Sequence, residues 1–371
     1  MKTIHIVAIG LIFFSLSCSN SEQKSFVIDG QFSEYPNEQI SLLRQFDDEW
    51  RVTDYSMLDS EGRFSLSGEV DYPEFVYMTL KKSRQSIRFF LENERITIQV
   101  NSDSMFQNPE IRGANLNEIF DEYTNDLKVN FQDTLRVLYT LWNKAVAENN
   151  DIKAAEIDSL RGILFQKKLD YQVDFVRGNS SNVLAPFVLN LFFMELDFEL
   201  FESLVDGLDS LLNGSLYTRQ VKQKVQATTA TLPGQPFIEF SLPDSNGIYI
   251  QLSTLVEQGN YLVIDFWATF NTTSILEKEK KQELYNKYFS KGLSFVGVSL
   301  DTNREGWRKS LEKTGPTWLQ LIDIKGRRGT VASDYLILGL PLKFLLDPSG
   351  MIIAKVKTAE DLEVELDAIF E

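Results

Sequence analysis

A group of polar side chains that could take part in a reaction follows one strongly apolar segment in the C-terminal third of the chain. Residues 261–264 are Tyr-Leu-Val-Ile, a continuous apolar run that predicts a parallel strand buried on both faces. Asp265 continues that strand, and a turn then leads to Asn271 and Ser274 at the start of a helical pattern. A carboxylate, an amide and a hydroxyl are therefore brought to one strand–turn–helix segment, which is the candidate site of this protein.

The chain carries few residues that could support nucleophilic or redox chemistry. Its single histidine, His5, and its single cysteine, Cys18, both lie near the N-terminus. In the remainder of the sequence this composition excludes internal disulfides, Cys/His zinc sites, Cys–His nucleophiles and Ser-His-Asp triads. The Ser274 hydroxyl has no histidine to act as its base, so it is a poor nucleophile.

The segment from Ile264 to Ser274, I-D-F-W-A-T-F-N-T-T-S, resembles the signature V-D-F-W-A-x-W-C-x-x-C of thioredoxins. The resemblance is strongest to the TlpA/ResA-like envelope thioredoxins. Residues 295–301 are similar to the family's second central strand, and residues 339–347 (G-L-P-L-K-F-L-L-D) to its cis-proline segment. The resemblance covers residues 233–371 and implies a C-terminal thioredoxin-like α/β fold.

At the two cysteine positions of that signature, this chain has Asn271 and Ser274. The resemblance implies thiol-disulfide oxidoreductase activity, but the absence of both thiols excludes disulfide exchange through a dithiol cycle. Asn271 is instead predicted to be an N-cap, whose side-chain oxygen accepts a backbone N–H of the helix. Asp265 matches the buried acid that helps to deprotonate the second cysteine in this family. We interpret it as a relic, with a functional buried acid as the alternative.

The resemblance also implies a peptide groove beside the degenerate motif. Its expected residues are Trp267, Phe270, Leu340 and Pro341, and the peptide bond before Pro341 is expected to be cis. A groove that is kept without its thiols is compatible with binding of a protein or peptide without turnover. It is also compatible with retention of the fold alone.

Residues 272–289 are predicted to form one helix with a charged surface. Its segment 277–281 is Glu-Lys-Glu-Lys-Lys, and Glu279 stands about where the family commonly has a proline that kinks the helix. We predict that this segment is a solvated helix face with charge pairs at i,i+4 spacing.

Residues 1–17 resemble a bacterial export signal that ends in a lipobox. The apolar segment 4–14 is too short to span a bilayer, and small residues precede Cys18. We predict a lipoprotein signal peptide over residues 1–17, an acylated Cys18 and a polar tether over residues 18–24. The alternative is a cleaved signal with an incidental cysteine. The expected location is the cell envelope, with a lipid anchor in the outer membrane that faces the periplasm or the surface.

A change in the spacing of apolar residues divides the rest of the chain into two parts. Residues 25–112 form short alternating segments that predict an antiparallel β-sandwich. This block resembles the domain of unknown function that precedes TlpA-like domains in many Bacteroidetes lipoproteins. Residues 113–230 have helical spacing and predict a helical middle domain. The expected fold class is therefore α+β and multidomain, with the thioredoxin-like domain over residues 233–371.

Composition narrows the possible partners. The 371 residues carry 37 Lys and Arg against 53 Asp and Glu, a formal net charge of −16, which argues against nucleic-acid binding. The sequence has no P-loop, dinucleotide fingerprint or EF-hand pattern, so we expect neither a cofactor nor a metal site.

The sequence therefore predicts a redox-inactive thioredoxin-like envelope lipoprotein that binds an envelope protein or peptide as a holdase, adaptor or assembly subunit. Two alternatives remain open. One is a thiol-disulfide oxidoreductase, as family membership implies and the missing cysteines contradict. The other is a purely structural module, in which the N-terminal domains carry the function.

Overall fold

The computed structural model describes residues 25–47, 49–82, 85–100 and 109–371. The predicted signal peptide, the tether and Cys18 lie outside the described residues. The chain divides into two compact units, the first with residues 25–45 and Trp50–Asp121, the second with Phe46–Glu49 and Glu122–Glu371. Within the described ranges, no helix is both long and apolar enough to cross a membrane.

The first unit is built mainly from strands in which core and solvent positions alternate. In the strand Arg63–Gly68, for example, Phe64 and Leu66 are buried, whereas Arg63 and Ser65 are exposed. The strands are β1 (Phe26–Phe32), β2 (Gln39–Phe46), β3 (Glu49–Met57), β4 (Arg63–Gly68), β5 (Glu74–Leu80), β6 (Ser86–Leu91), β7 (Arg95–Val100) and β8 (Glu110–Arg112).

These strands form two sheets that share one apolar core. The described residues give the strand orders β4-β1-β7-β8 and β3-β2-β5-β6. Buried side chains of both sheets, such as Ile28 and Ile98 of the first and Leu42 and Met78 of the second, belong to the same cluster. The predicted β-sandwich is confirmed.

A helical region follows the sandwich. Three of its helices begin at polar caps: the side chains of Asn150, Asp197 and Ser215 each accept a backbone N–H of the first turn. The helices are α1 (Asn115–Leu127), α2 (Asp133–Ala147), α3 (Asp151–Gly178), α4 (Leu184–Phe192), α5 (Phe198–Asp206) and α6 (Leu216–Ala230), with a π-helical turn at Lys128–Gln132. The predicted helical middle region is confirmed.

The C-terminal region alternates strands and helices. Its strands are β9 (Ser241–Pro243), β10 (Tyr249–Gln251), β11 (Tyr261–Trp267), β12 (Leu293–Ser299), β13 (Leu319–Ile322), β14 (Leu342–Leu346) and β15 (Ile352–Val356). Its helices are α7 (Leu252–Val256), α8 (Thr272–Leu276), α9 (Lys278–Tyr288), α10 (Arg304–Thr314), α11 (Thr330–Asp334) and α12 (Ala359–Phe370).

The main sheet of this region has the strand order β13-β12-β11-β14-β15. Strand β12 pairs in parallel with β11 and β13, whereas β14 is antiparallel to β11 and β15. Apolar clusters cover both faces of the sheet. Ile264 and Phe266 belong to one cluster, and Val263 packs in the other with residues of α9 and α12. This order and covering are those of the predicted thioredoxin-like fold.

A side-chain hydrogen bond joins the helical region to the thioredoxin-like fold within the second unit. The Gln223 side chain of α6 donates to the Ser333 hydroxyl over 2.7 Å. The segment that follows α6 is in turn bonded to β15: the backbone N–H of Gly234 donates to the Ile352 carbonyl over 2.7 Å, and the Ile352 N–H donates to the Gln235 carbonyl over 2.7 Å.

Candidate functional site

Asn271 occupies the turn between β11 and α8 and makes two hydrogen bonds there. Its side-chain Oδ1 accepts the backbone N–H of Ser274 over 2.7 Å, which caps the helix as the sequence predicts. Its Nδ2 donates to the backbone carbonyl of Leu340 over 3.1 Å. The amide at the first cysteine position therefore ties the start of α8 to the cis-proline segment.

Ser274, at the second cysteine position, lies in the interior with 2% of its surface exposed. Its hydroxyl has no hydrogen-bond partner within the described residues. With a buried hydroxyl and no base bonded to it, Ser274 offers no activated nucleophile.

The expected groove residues differ in their accessibility. The Leu340–Pro341 peptide bond is cis, as the resemblance implies, with Leu340 half-buried and Pro341 buried. Phe270, directly before Asn271 in the chain, is 65% exposed. Trp267 does not form part of an open groove wall, because its side chain is buried against Trp307.

The position of the Trp267 indole is fixed by a polar contact across the sheet. Its Nε1–H donates to Oε1 of Gln320 over 2.9 Å. The Gln320 amide lies over Gly297 of the intervening strand β12, and a Cβ at position 297 would overlap that amide. The glycine is therefore needed for the close approach of this side chain.

Asp265 lies on β11 with 2% of its surface exposed, and it forms an ion pair with Lys281 of α9. The Lys281 ammonium donates to Oδ2 of Asp265 over 2.6 Å, and only 4% of Lys281 is exposed. A charge so deeply buried is costly unless it is paired, so each group requires the other.

A second buried ion pair lies beside the first. Lys343 of β14 donates to Oε2 of Glu277 over 2.7 Å and to the carbonyl of Lys357 over 2.9 Å. The other Glu277 oxygen accepts the backbone N–H of Ala359 over 3.2 Å. Because Asp265 and Lys343 are paired across the antiparallel strands β11 and β14, their side chains lie on the same sheet face. Two carboxylates and two ammonium groups thus form one cluster between α9 and the sheet.

The prediction of a solvated face over residues 277–281 is therefore wrong. Glu277 and Lys281 are buried, whereas Glu279 is exposed. The single helix predicted over residues 272–289 is also interrupted, since α8 ends at Leu276 and α9 begins at Lys278. The physical reason is the charged cluster: Glu277 and Lys281, one helical turn apart, both reach partners on the sheet beneath them.

Burial shifts the pKa of several ionisable groups elsewhere in this domain. It raises the pKa of the Asp323 carboxyl and of the Tyr335 hydroxyl, and it lowers the pKa of the Lys355 ammonium. The Tyr335 hydroxyl donates to the Ile238 carbonyl over 2.6 Å and accepts the N–H of the same residue over 3.0 Å. These groups anchor structure around the sheet.

The ion pair between Lys281 and Asp265 generates a stability prediction. Lys281→Met leaves the Asp265 carboxylate buried without its cation, so we expect the free energy of unfolding to fall by about 3–5 kcal/mol. Adding Asp265→Asn removes the stranded charge and should recover most of that loss. Urea unfolding of the full chain measures both effects.

The matched control is Lys313→Met, at an exposed position in the last turn of α10, which should change the free energy of unfolding by less than about 0.5 kcal/mol. A single Lys281→Met variant as stable as the unmodified protein would contradict the role given to this ion pair.

Comparison with known protein families finds one match in the N-terminal part of the chain and one in the C-terminal part. A family model for a domain of unknown function (DUF4369) matches residues 26–120. The model of the AhpC/TSA family matches residues 233–355, a range that contains every residue of the site described above except Lys357 and Ala359.

Individual relatives match the same C-terminal region. Over 139 residues the chain is 29% identical to the thiol-disulfide oxidoreductase ResA of Bacillus thuringiensis subsp. konkukian, a match that covers 37% of this chain and 78% of that protein. ResA of Bacillus anthracis is 28% identical over the same length and coverage.

Solved structures of similar sequence cover the same part of the chain. A thiol-disulfide oxidoreductase from Bacteroides fragilis is 30% identical, over 36% of this chain and 99% of that chain, with a TM-score of 0.34. The thioredoxin domain of a thiol-disulfide oxidoreductase from Bacteroides vulgatus is 28% identical, over 38% and 99%, with a TM-score of 0.35.

The family match and the strand order of the C-terminal sheet agree with each other. The matched range contains β9 to β14, the positions 271 and 274 and the cis peptide bond before Pro341. Residues 233–355 therefore form a thioredoxin-like domain that matches the AhpC/TSA family, and ResA thiol-disulfide oxidoreductases are similar to this chain.

Proposed function

We propose that this protein is a thioredoxin-like envelope lipoprotein that binds a protein or peptide partner and performs no dithiol chemistry. The observation that carries the proposal is the role of Asn271. Asn271 stands at the first cysteine position, and its side chain caps α8 and donates a hydrogen bond to the Leu340 carbonyl. The motif is therefore a structural joint between the helix and the cis-proline segment.

The surface around that joint supports partner binding. Phe270, Ile275 and Leu276 are exposed apolar side chains in and next to α8, with Leu276 75% exposed. Adjacent exposed apolar side chains on a soluble domain commonly mark an interaction site. Phe270 directly precedes Asn271, which is bonded to the cis-proline segment, and this position favours an extended peptide or a protein loop as the partner.

The main alternative is the activity printed in the names of the relatives, thiol-disulfide oxidoreduction. Position 271 is asparagine, position 274 is serine, and the 371 residues contain a single cysteine, Cys18. A dithiol–disulfide cycle needs two thiols in one chain, so this chemistry requires groups that the sequence does not supply.

The location in the envelope is part of the proposal and rests on the sequence. Cys18 follows a short apolar segment in the pattern of a lipobox, and acylation there would anchor the chain to a membrane by its N-terminus.

Insulin reduction tests the absence of dithiol chemistry. We expect that insulin is reduced no faster in the presence of the protein than by dithiothreitol alone. The double variant Asn271→Cys/Ser274→Cys, in a Cys18→Ser background, should show a rate above that level, because the thiols return to the start of a helix that the fold retains.

The single variant Asn271→Cys in the same background is the control, and it should be as inactive as the unmodified chain. Turnover by the unmodified protein would overturn the proposal.

Photo-crosslinking in living cells of the source organism tests the partner. A benzophenone amino acid in place of Phe270 should give a discrete adduct. The matched control is the same substitution at Phe289, which is of the same residue type and 58% exposed. No adduct at position 270, or the same adducts at both positions, would favour the purely structural alternative.

Membrane fractionation tests the anchor. Cys18→Ser should move the protein from the membrane fraction to the soluble fraction, whereas Ser19→Ala should leave it with the membranes, because only the cysteine thiol can carry the acyl chain. A Cys18→Ser chain that stays in the membrane fraction would show that the lipid anchor is not at this residue.

A further inference from the structure

Helices α2 and α3 form an antiparallel hairpin that leaves several apolar side chains exposed. Only residues 148–150 separate the two helices, and Ala145 of α2 lies in one apolar cluster with Ala154 and Ile157 of α3. Other large apolar side chains of the same two helices are between 43% and 56% exposed: Val137, Leu141, Leu160 and Ile163. We call these four residues the hairpin surface. The packing of α2 against α3 does not cover them.

The contacts of Arg161 show that the hairpin surface lies on one side of the hairpin. The Arg161 guanidinium lies over the rings of Tyr139 and Trp142 of α2, 5.5 and 5.2 Å from the ring centres. Successive residues of an α-helix are turned by about 100°, so Leu160 points to the side of α3 that faces away from these rings. Leu141 is two residues from Tyr139, which turns it by about 200° to the same opposite side. The other two residues of the hairpin surface follow at steps of three and four residues and therefore share this side.

On α3 the hairpin surface has a charged residue of opposite sign at each end. Glu156 precedes Leu160 by four residues, and Lys167 follows Ile163 by four residues. Both charged side chains are exposed. The resulting spacing of four, three and four residues is the one at which helices pack against each other in coiled coils. The stripe is therefore symmetric in spacing and opposite in charge about its midpoint.

A stripe of this kind is complementary to itself when two copies run antiparallel. With a two-fold axis midway between Leu160 and Ile163, each of these residues meets the other in the second copy. Glu156 then meets Lys167 of the second copy, and the axis forms this charge pair twice. A parallel pairing would instead place Glu156 against Glu156, which is unfavourable. The charges thus favour a second copy of this chain, in the antiparallel orientation.

The same axis also relates the α2 part of the hairpin surface. Val137 and Leu141 stand two residues before and two residues after Tyr139, and Tyr139 is level with Arg161 of α3. The midpoints of the two apolar pairs therefore lie at the same height along the hairpin. One two-fold axis brings Val137 against Leu141 of the second copy while it pairs the two α3 helices.

We propose that the hairpin surface is a self-association site, through which two copies of the chain pair about a two-fold axis as an antiparallel four-helix arrangement. The site belongs to α2 and α3 of the helical region, whereas the surface of the proposed function belongs to Phe270 and α8. The proposal therefore does not rest on partner binding by the thioredoxin-like domain.

Sedimentation equilibrium of the full chain with Cys18→Ser, which cannot be acylated at that residue, tests the proposal. We expect a reversible equilibrium between a monomer of 42.6 kDa and a dimer of twice that mass. Because the apolar part of the interface is small, the dissociation constant should be on the order of 10 μM. A monomer throughout a concentration range that spans this value would overturn the proposal.

A charge within the apolar stripe should break the dimer. Leu160→Glu places a carboxylate against Ile163 of the second copy, so we expect the dissociation constant to rise at least about tenfold. The matched control is Leu191→Glu in α4, the same change at a leucine that is 62% exposed, and it should leave the dissociation constant unchanged. A dimer that persists in Leu160→Glu would show that the association uses another surface.

A charge exchange tests the antiparallel orientation. Glu156→Lys and Lys167→Glu should each weaken self-association about fivefold at low salt, because each creates like-charge pairs at both ends of the stripe. A mixture of the two variants should recover the affinity of the unmodified chain, since both charge pairs of the mixed dimer are then of opposite sign. An equal affinity of each variant alone and of the mixture would contradict this orientation.

Photo-crosslinking identifies the occupant in living cells. A benzophenone amino acid at position 160 should give an adduct of twice the chain mass, which contains only this protein. An adduct that contains a different protein, with none of the doubled mass, would overturn the proposal. These results are independent of whether position 270 forms an adduct with a partner.

Discussion

The buried charge cluster between α9 and the sheet is the interaction on which the C-terminal domain depends. Lys281 is paired with Asp265 of β11, and Glu277 is paired with Lys343 of β14. The attraction between such groups hardly exceeds the cost of removing them from water, so the intact cluster adds little net stability. Its importance lies in the penalty for breaking it, because a lone buried charge is severely destabilising. The cluster therefore restricts the helix to one position over the two central strands.

That restriction explains how the site keeps its geometry without its thiols. The short helix α8 is held at both ends: Asn271 bonds its start to the Leu340 carbonyl, and Glu277, directly after it, bonds to Lys343 and Ala359. A dithiol site needs a nucleophile at this helix start. Here the same position carries a cap and a cross-link between two loops. These contacts fix the geometry of the segment, although neither position carries a thiol.

The sequence was most informative where burial is continuous. The apolar run 261–264 predicted a buried strand that continues through Asp265, and the structure has this strand as β11, Tyr261–Trp267. The exposed edge strand β3 has no buried residue, so its side chains give no alternating pattern of this kind. The charged segment after the motif was misinterpreted, because local spacing cannot show that Glu277 and Lys281 reach the sheet. One signal was present, since Lys343 interrupts an otherwise apolar strand and a buried lysine requires an acidic partner. That partner, Glu277, is 66 residues away in the sequence, and only the fold brings the two side chains together.

The two sides of α8 differ in their surroundings. Its outer residues, such as Leu276, are apolar and exposed, and with Phe270 they offer area but little enclosure. A surface of this kind binds by burying area, as interfaces with peptides and proteins do. Its inner residue Ser274 is buried and lines a small cavity of about 40 Å³ together with Asp265 and Trp267, so this side of the helix belongs to the interior of the domain. Because hydrogen bonds hold both ends of α8, the outer side keeps one orientation relative to the sheet.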